Sequence, residues 1–113
     1  MKNNHINYVE FKANDLQKTK DFYSATFGWS FTDYGPNYIA FSDSGLEGGF
    51  EKSEGNLVNG ALIVLYHENL EQIKALVEQA GGTIVKDIFS FPGGKRLHFT
   101  DPSGNELAIW SDK

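Results

Sequence analysis

Two stretches of the chain place apolar residues at helical spacing. In "NDLQKTKDFYSATFG", Leu16, Thr19, Phe22, Tyr23 and Phe27 fall on one face, as the core-facing stripe of an amphipathic helix requires. Asn14 or Asp15 can cap its start, because a short side-chain oxygen accepts from the unpaired amides of the first turn. Gly28 follows where a left-handed residue ends a helix at no steric cost. In "ENLEQIKALVEQAGG", Leu70, Ile73, Leu76, Val77 and Ala80 form the apolar face, Asn69 is the cap and Gly81-Gly82 the stop. The patterns predict helices over 15–27 and 70–80.

The two patterns are copies in register. The caps (15 and 69), the first apolar residues (16 and 70), Lys20 and Lys74, Phe22 and Leu76, and the stops (28 and 82) all recur 54 positions apart. A fixed offset that preserves cap, face and stop marks an internal repeat. The flanks agree. A strand precedes each helix, "INYVEFKA" (6–13) and "ALIVLYH" (61–67). Three strand candidates follow each: "WSFTDY" (29–34), "NYIAFSD" (37–43) and "LEGGFEK" (46–52), then "TIVKDIF" (83–89), "KRLHFT" (95–100) and "ELAIWS" (106–111). Pro36, Asn37, Gly45, Pro92-Gly93-Gly94 and "DPSG" supply turns. The expected architecture is α+β: two βαβββ modules, 6–52 and 61–111, joined by a polar linker, 53–60, in one domain with two main helices and an eight-strand cupped mixed sheet. A ferredoxin-like βαββαβ is the alternative, and it leaves two strand candidates unused.

Composition narrows the function. The chain has 113 residues, 40% of them hydrophobic and 14% aromatic, the size and make-up of one domain with a packed core. Net charge is −5 with no basic run, which argues against a nucleic-acid surface, since that needs clustered Lys and Arg to replace counterions. With no cysteine, disulfides, thiolate metal sites and thiol nucleophiles are excluded. No stretch approaches the ~20 apolar residues of a spanning helix and the N-terminus lacks a signal-peptide core, so a cytoplasmic protein without a membrane role is expected.

"DLQKTKDFYSATFGW" (15–29), "AGG" (80–82) and "FTDPSGNELAIW" (99–110) give the chain a resemblance to the vicinal oxygen chelate superfamily, which includes glyoxalase I, extradiol dioxygenases and the fosfomycin- and bleomycin-resistance proteins. It most resembles the small single-domain members. The resemblance implies a cup-shaped site and, in metal-dependent members, His, Glu or Gln ligands at equivalent points of the two modules. Those points correspond here to Tyr8, Gly49, Leu62 and Ala108, none a good ligand for a divalent ion. No metal and no cofactor are therefore expected. A displaced site built from Glu10, His98 and Glu106 is the alternative.

Strand alternation then gives the lining of the cup: Tyr8, Glu10 and Lys12; Tyr38 and Ala40; Leu62, Val64 and Tyr66; Arg96 and His98; Glu106, Ala108 and Trp110. Phe89 and Phe91 are placed to close one side. An apolar, aromatic cleft with a few polar groups suits a small organic ligand. Tyr8, Tyr38 and Tyr66 either contact it or only fill the cup. Glu10 is a ligand anchor, a general base or an ion-pair partner of Arg96 or Lys12. Arg96 clamps a carboxylate or phosphate, or pairs with Glu10. His98 is the foremost candidate for acid–base work, with Glu10 as its partner, or else a hydrogen-bonded strand histidine. His5 and His67 are expected to be exposed, and Asp101 and Asn105 to brace their turn.

Three functions follow. The favoured one is a metal-free small-molecule-binding or sequestering protein. The second is a glyoxalase-like lyase, isomerase or dioxygenase using the displaced metal site or a metal-free acid–base pair. The third is a structural or regulatory module with Trp29 or Trp110 at an interface. The resemblance also implies pairing into a homodimer, with Trp110 as a candidate contact.

Overall fold

A computed structural model describes residues 3–4, 6–55, 57 and 60–113. His5 and linker positions 56, 58 and 59 lie outside the described residues. The elements run β1 (Val9–Ala13), α1 (Leu16–Phe27), β2 (Ser30–Asp33), β3 (Tyr38–Ser42), β4 (Gly48–Lys52), β5 (Ile63–Tyr66), α2 (Leu70–Gln79), β6 (Thr83–Phe91), β7 (Gly94–Thr100) and β8 (Glu106–Ser111).

The helix ends follow from side-chain chemistry. Asp15 accepts from the Lys18 amide at 3.0 Å, and Asn69, its repeat mate, accepts from the Gln72 amide at 3.1 Å. Gly28 closes α1 in the left-handed region, φ 75°, where a side chain would be strained. A matched ion pair also recurs across the repeat. Lys20 on α1 meets Asp33 on β2 at 2.8 Å, and Lys74 on α2 meets Asp87 on β6 at 2.9 Å.

The strands form two four-stranded sheets, β1-β4-β3-β2 and β5-β8-β7-β6. In each, the first strand pairs parallel with the last and the other pairings are antiparallel. The two orders are the same, as a repeat demands. The eight strands expected from the sequence are present, but they do not join into one continuous cup within the chain. The reason lies in the core. Phe22 and Tyr23 of α1, Leu70, Ile73 and Val77 of α2, Ile39, Phe41 and Phe50 of the first sheet, and Leu97, Phe99, Leu107 and Ile109 of the second belong to one buried cluster. Phe22 and Phe27 reach Phe99 at 6.1 and 5.9 Å between ring centroids. Both sheets therefore turn their helix-facing sides to a common core, and their opposite faces look outward on either side. β1 and β5 are left as open edges.

Trp29 corrects the interface expectation: it is buried and stacks on Tyr23 at 4.7 Å. Trp110 sits on β8, an interior strand, on the outward face. The "DPSG" turn does more than reverse the chain. Asp101 Oδ1 accepts from the Ser103 and Asn105 amides, and its Oδ2 accepts from Asn105 Nδ2 and from the buried Tyr23 hydroxyl at 3.0 Å. Asn105 Nδ2 also donates to the Lys12 carbonyl at 2.8 Å. One carboxylate thus ties the β7–β8 turn to α1, and its neighbour ties the turn to β1. No helix of the described residues is long and apolar enough to cross a membrane.

Candidate functional site

Burial follows the alternation predicted for the strands. Val9 and Phe11 of β1 turn toward the helices while Glu10 and Lys12 turn outward. On β7 and β8, Leu97, Phe99, Leu107 and Ile109 are in the core, and the residues between them form the other face. The candidate residues fall into two groups on different sheets.

On the first sheet, Tyr8 and Tyr38 share a hydroxyl–hydroxyl hydrogen bond of 2.6 Å. Lys12 lies 3.7 Å from Glu10 and pairs closely with Glu51. Burial first, then bonds to Tyr8 and Glu10, push the Tyr38 phenol above its ordinary value, which keeps it protonated. A Cβ on Gly49 would fall 2.6 Å from Tyr38 Cζ, so the Tyr38 ring occupies the space a side chain at Gly49 would need.

The second sheet carries the richer face. His98 is 8% exposed. Its Nδ1 lies 2.9 Å from Glu106 Oε2, and its Nε2 is buried without a hydrogen-bond partner. The pair lines a cleft of about 310 Å³ with Gly60, Ala61 and Leu62. Beside it, Arg96 lies over the rings of Phe89 and Phe91 at 5.3 and 5.7 Å, and its Nε is buried and unpartnered. Tyr66 meets Trp110 edge-on at 5.3 Å and bonds Asp112 at 2.6 Å. That bond holds the Tyr66 phenol above, and the Asp112 carboxyl below, its ordinary range.

The expected partnership of Glu10 with His98 or Arg96 does not form within the chain. Glu10 belongs to the first sheet beside Lys12, whereas His98 is engaged by Glu106. His67 is half-buried rather than exposed, because its Nδ1 accepts from the Asn69 amide at 2.9 Å ahead of α2. Three features escaped the sequence. Lys86 stands over Phe89 at 4.7 Å; the irregular register of β6 near Lys86 hides its face from simple alternation. Gly60 looked like linker only, and Ala61 like the plain start of a strand. The third is a cavity of about 600 Å³ between β1 and β5, lined by Phe41 and Ile73 among others and by Trp29, which had read as an interface residue. The buried Thr26 hydroxyl there has no partner.

The residues at the implied metal positions do not fit a divalent ion. Leu62 and Ala108 bring no donor, Gly49 is covered by the Tyr38 ring, and Tyr8 is bound to that same phenol. Among the described residues, no three His, Asp or Glu side chains stand close enough to hold a metal.

Known proteins place the chain in context. The family model described as Glyoxalase/Bleomycin resistance protein/Dioxygenase superfamily matches residues 5–109. No curated protein sequence matches significantly. A glyoxalase/bleomycin resistance protein/dioxygenase family enzyme from Burkholderia phytofirmans superposes with TM-score 0.82 at 17% identity, over 94% of this chain and 97% of that one. A variant of the fosfomycin resistance protein FosX from Listeria monocytogenes, complexed with Mn(II) and a dihydroxypropylphosphonic acid, gives TM-score 0.82 at 14% identity, over 96% and 90%. TnmS3, an antibiotic binding protein from a Streptomyces species, gives 0.71 at 20%, over 98% of each chain. At these identities the likeness is one of fold. With the repeat, the two matched sheets and the family model agreeing along nearly its whole length, the chain belongs to the glyoxalase/bleomycin resistance protein/dioxygenase superfamily.

Proposed function

We propose that the protein binds a small organic ligand, without a resident metal, on the outward face of the second sheet. The observation that carries this is the pair of buried, unpartnered donors or acceptors there, His98 Nε2 and Arg96 Nε. A buried polar atom left without a partner costs about 1–3 kcal/mol. Two such atoms beside the Tyr66–Trp110 pair suit an occupant that satisfies them and covers the rings. The antibiotic and the phosphonic acid named for TnmS3 and FosX are small ligands of the same fold. The donor-poor positions Gly49, Leu62 and Ala108 support the metal-free part.

A second reading rests on the His98–Glu106 pair. If Nδ1 donates to Glu106, the neutral ring presents Nε2 as an acceptor, which is the arrangement of a general base. This replaces Glu10 by Glu106 as the partner of His98.

We also propose that two copies pair over the β1–β5 seam. Leu62, Val64 and Tyr66 are 41%, 45% and 50% exposed along the open β5 edge, and Tyr8 is 46% exposed beside β1. An unpaired edge flanked by apolar side chains calls for cover.

The test is a thermal-shift screen against small organic molecules and divalent metals, repeated with His98→Ala. Organic hits that bind roughly tenfold or more weakly to the variant, with metals giving no shift, are expected. Stabilisation by a metal alone, or hits indifferent to His98→Ala, would end this reading.

A further inference from the structure

The same face carries a charge pattern that bears on what the ligand is, and the following rests on the reading just given. Lys86 Nζ and the Arg96 guanidinium both lie over the Phe89 ring, at 4.7 and 5.3 Å. Among the described residues, no carboxylate pairs with either. The nearby acids are engaged elsewhere. Asp87, next to Lys86 in sequence, bonds Lys74 on α2. Glu106 bonds His98, and Asp112 bonds the Tyr66 hydroxyl. Two cations on one aromatic ring, neither in an ion pair, are notable in a chain whose net charge is −5. Each is held against the Phe89 ring, and neither forms an ion pair with a described carboxylate. The Phe89 and Phe91 rings hold the guanidinium between them, and its fork of donors suits a planar or tetrahedral oxyanion. In the antiparallel register Arg96 stands opposite Trp110. The rings of Trp110 and Tyr66 therefore continue the surface on the other side of the guanidinium.

We propose that Lys86 and Arg96 form an oxyanion subsite on this face, taking the carboxylate or phosphonate end of an organic acid whose flat, apolar body lies against Trp110 and Tyr66. The three probes that test it share a ring and differ in charge: benzoate, phenylphosphonate and neutral benzamide. Each is titrated into ¹⁵N-labelled protein at constant ionic strength, and the amide resonances of β6, β7 and β8 are followed. At least one of the two acids should saturate these shifts about tenfold more tightly than benzamide. Whichever acid saturates first identifies the oxyanion. Lys86→Gln and Arg96→Gln should each bring the acid down toward the benzamide level. Lys86 is exposed, so the first variant does not put folding at stake. Benzamide binding as tightly as both acids, or Lys86→Gln binding them unchanged, overturns the subsite while leaving a small-molecule site on this face standing. If none of the three moves these resonances, the subsite is overturned, and the thermal-shift screen decides the ligand-binding reading separately.

Discussion

Removing the Tyr23 hydroxyl should cost more stability at neutral pH than in acid. The hydroxyl donates to Asp101 Oδ2 at 3.0 Å, and both residues are buried, Tyr23 fully and Asp101 to 4% exposure. Tyr23→Phe keeps the ring that stacks on Trp29 and packs against Phe22 and Phe50, so the loss is confined to one hydrogen bond to a charged group. Such bonds contribute about 1.5–3 kcal/mol, and relief from burying the hydroxyl offsets part of this. A deficit of about 2 kcal/mol at neutral pH is therefore expected, a sizeable share of the ~5–15 kcal/mol that holds a domain together. The pH dependence follows from Asp101. Burial raises its carboxyl above the ordinary value, and bonds from Asn105, Tyr23 and Ser103 pull it back down. A carboxyl raised in the folded state holds its proton more tightly there than in the unfolded chain. Its contribution to stability thus declines as pH climbs from the ordinary carboxylate range through the raised value. Deleting one of the bonds that lower it makes the decline steeper. Urea denaturation followed by Trp29 fluorescence at about pH 3 and pH 7 should show a small deficit in acid and the full one at neutrality. An equal deficit at both, or none, would refute the latch.

Three further outcomes can be checked. A methyl on Gly48 would run into the Val9 carbonyl oxygen and lie 2.9 Å from Phe41 Cε1, whereas the atoms nearest one on Gly49 belong to the Tyr38 side chain, which is held by one hydrogen bond to Tyr8 rather than by backbone. Thermal melts should therefore show Gly48→Ala losing about 3 kcal/mol and Gly49→Ala about 1, and equal costs would contradict the packing. Val64→Lys places a charge on the exposed apolar edge of β5. Sedimentation should find the parent chain paired at micromolar concentration and this variant single, so a parent that stays monomeric removes the pairing. ¹⁵N spectra of the His98 ring at neutral pH should show Nδ1 protonated and bonded, and Glu106→Gln should perturb them; an unaffected ring would disconnect the two residues.

Much of this fold is written locally. Cap, apolar face and stop at a fixed offset of 54 positions located both helices to within a residue or two, because capping and helical periodicity involve only near neighbours. Alternation likewise sorted Glu10 from Phe11 and His98 from Phe99. What could not be read is set over long separations. The split into two sheets depends on α1 packing against β7, seventy-odd residues away, through Phe22 and Phe99. The partner of His98 is Glu106, a neighbour across one hairpin, but the imagined single cup made Glu10 look equally near. Trp29 follows the helix stop and looked like an exposed anchor; only the stack on Tyr23 reveals it as core.

The two outward faces differ in how far their polar groups satisfy one another, and the proposed placement of a ligand follows from that difference. On the first sheet the polar groups satisfy one another. Tyr8 bonds Tyr38, Tyr38 fills the space over Gly49, and Lys12 stands between Glu10 and Glu51. A ligand placed there would have to break contacts before making its own. On the second sheet Lys86 and Arg96 lie against rings and form no ion pair with a described carboxylate, and His98 Nε2 and Arg96 Nε are buried and unpaired. A ligand bound there as we propose would meet two buried polar atoms whose desolvation has already been met in folding. The repeat built two equivalent sheets on equivalent helices. Their outward positions, which the core does not constrain, differ: one face is filled by its own polar contacts, and the other is the face on which we propose that a ligand binds.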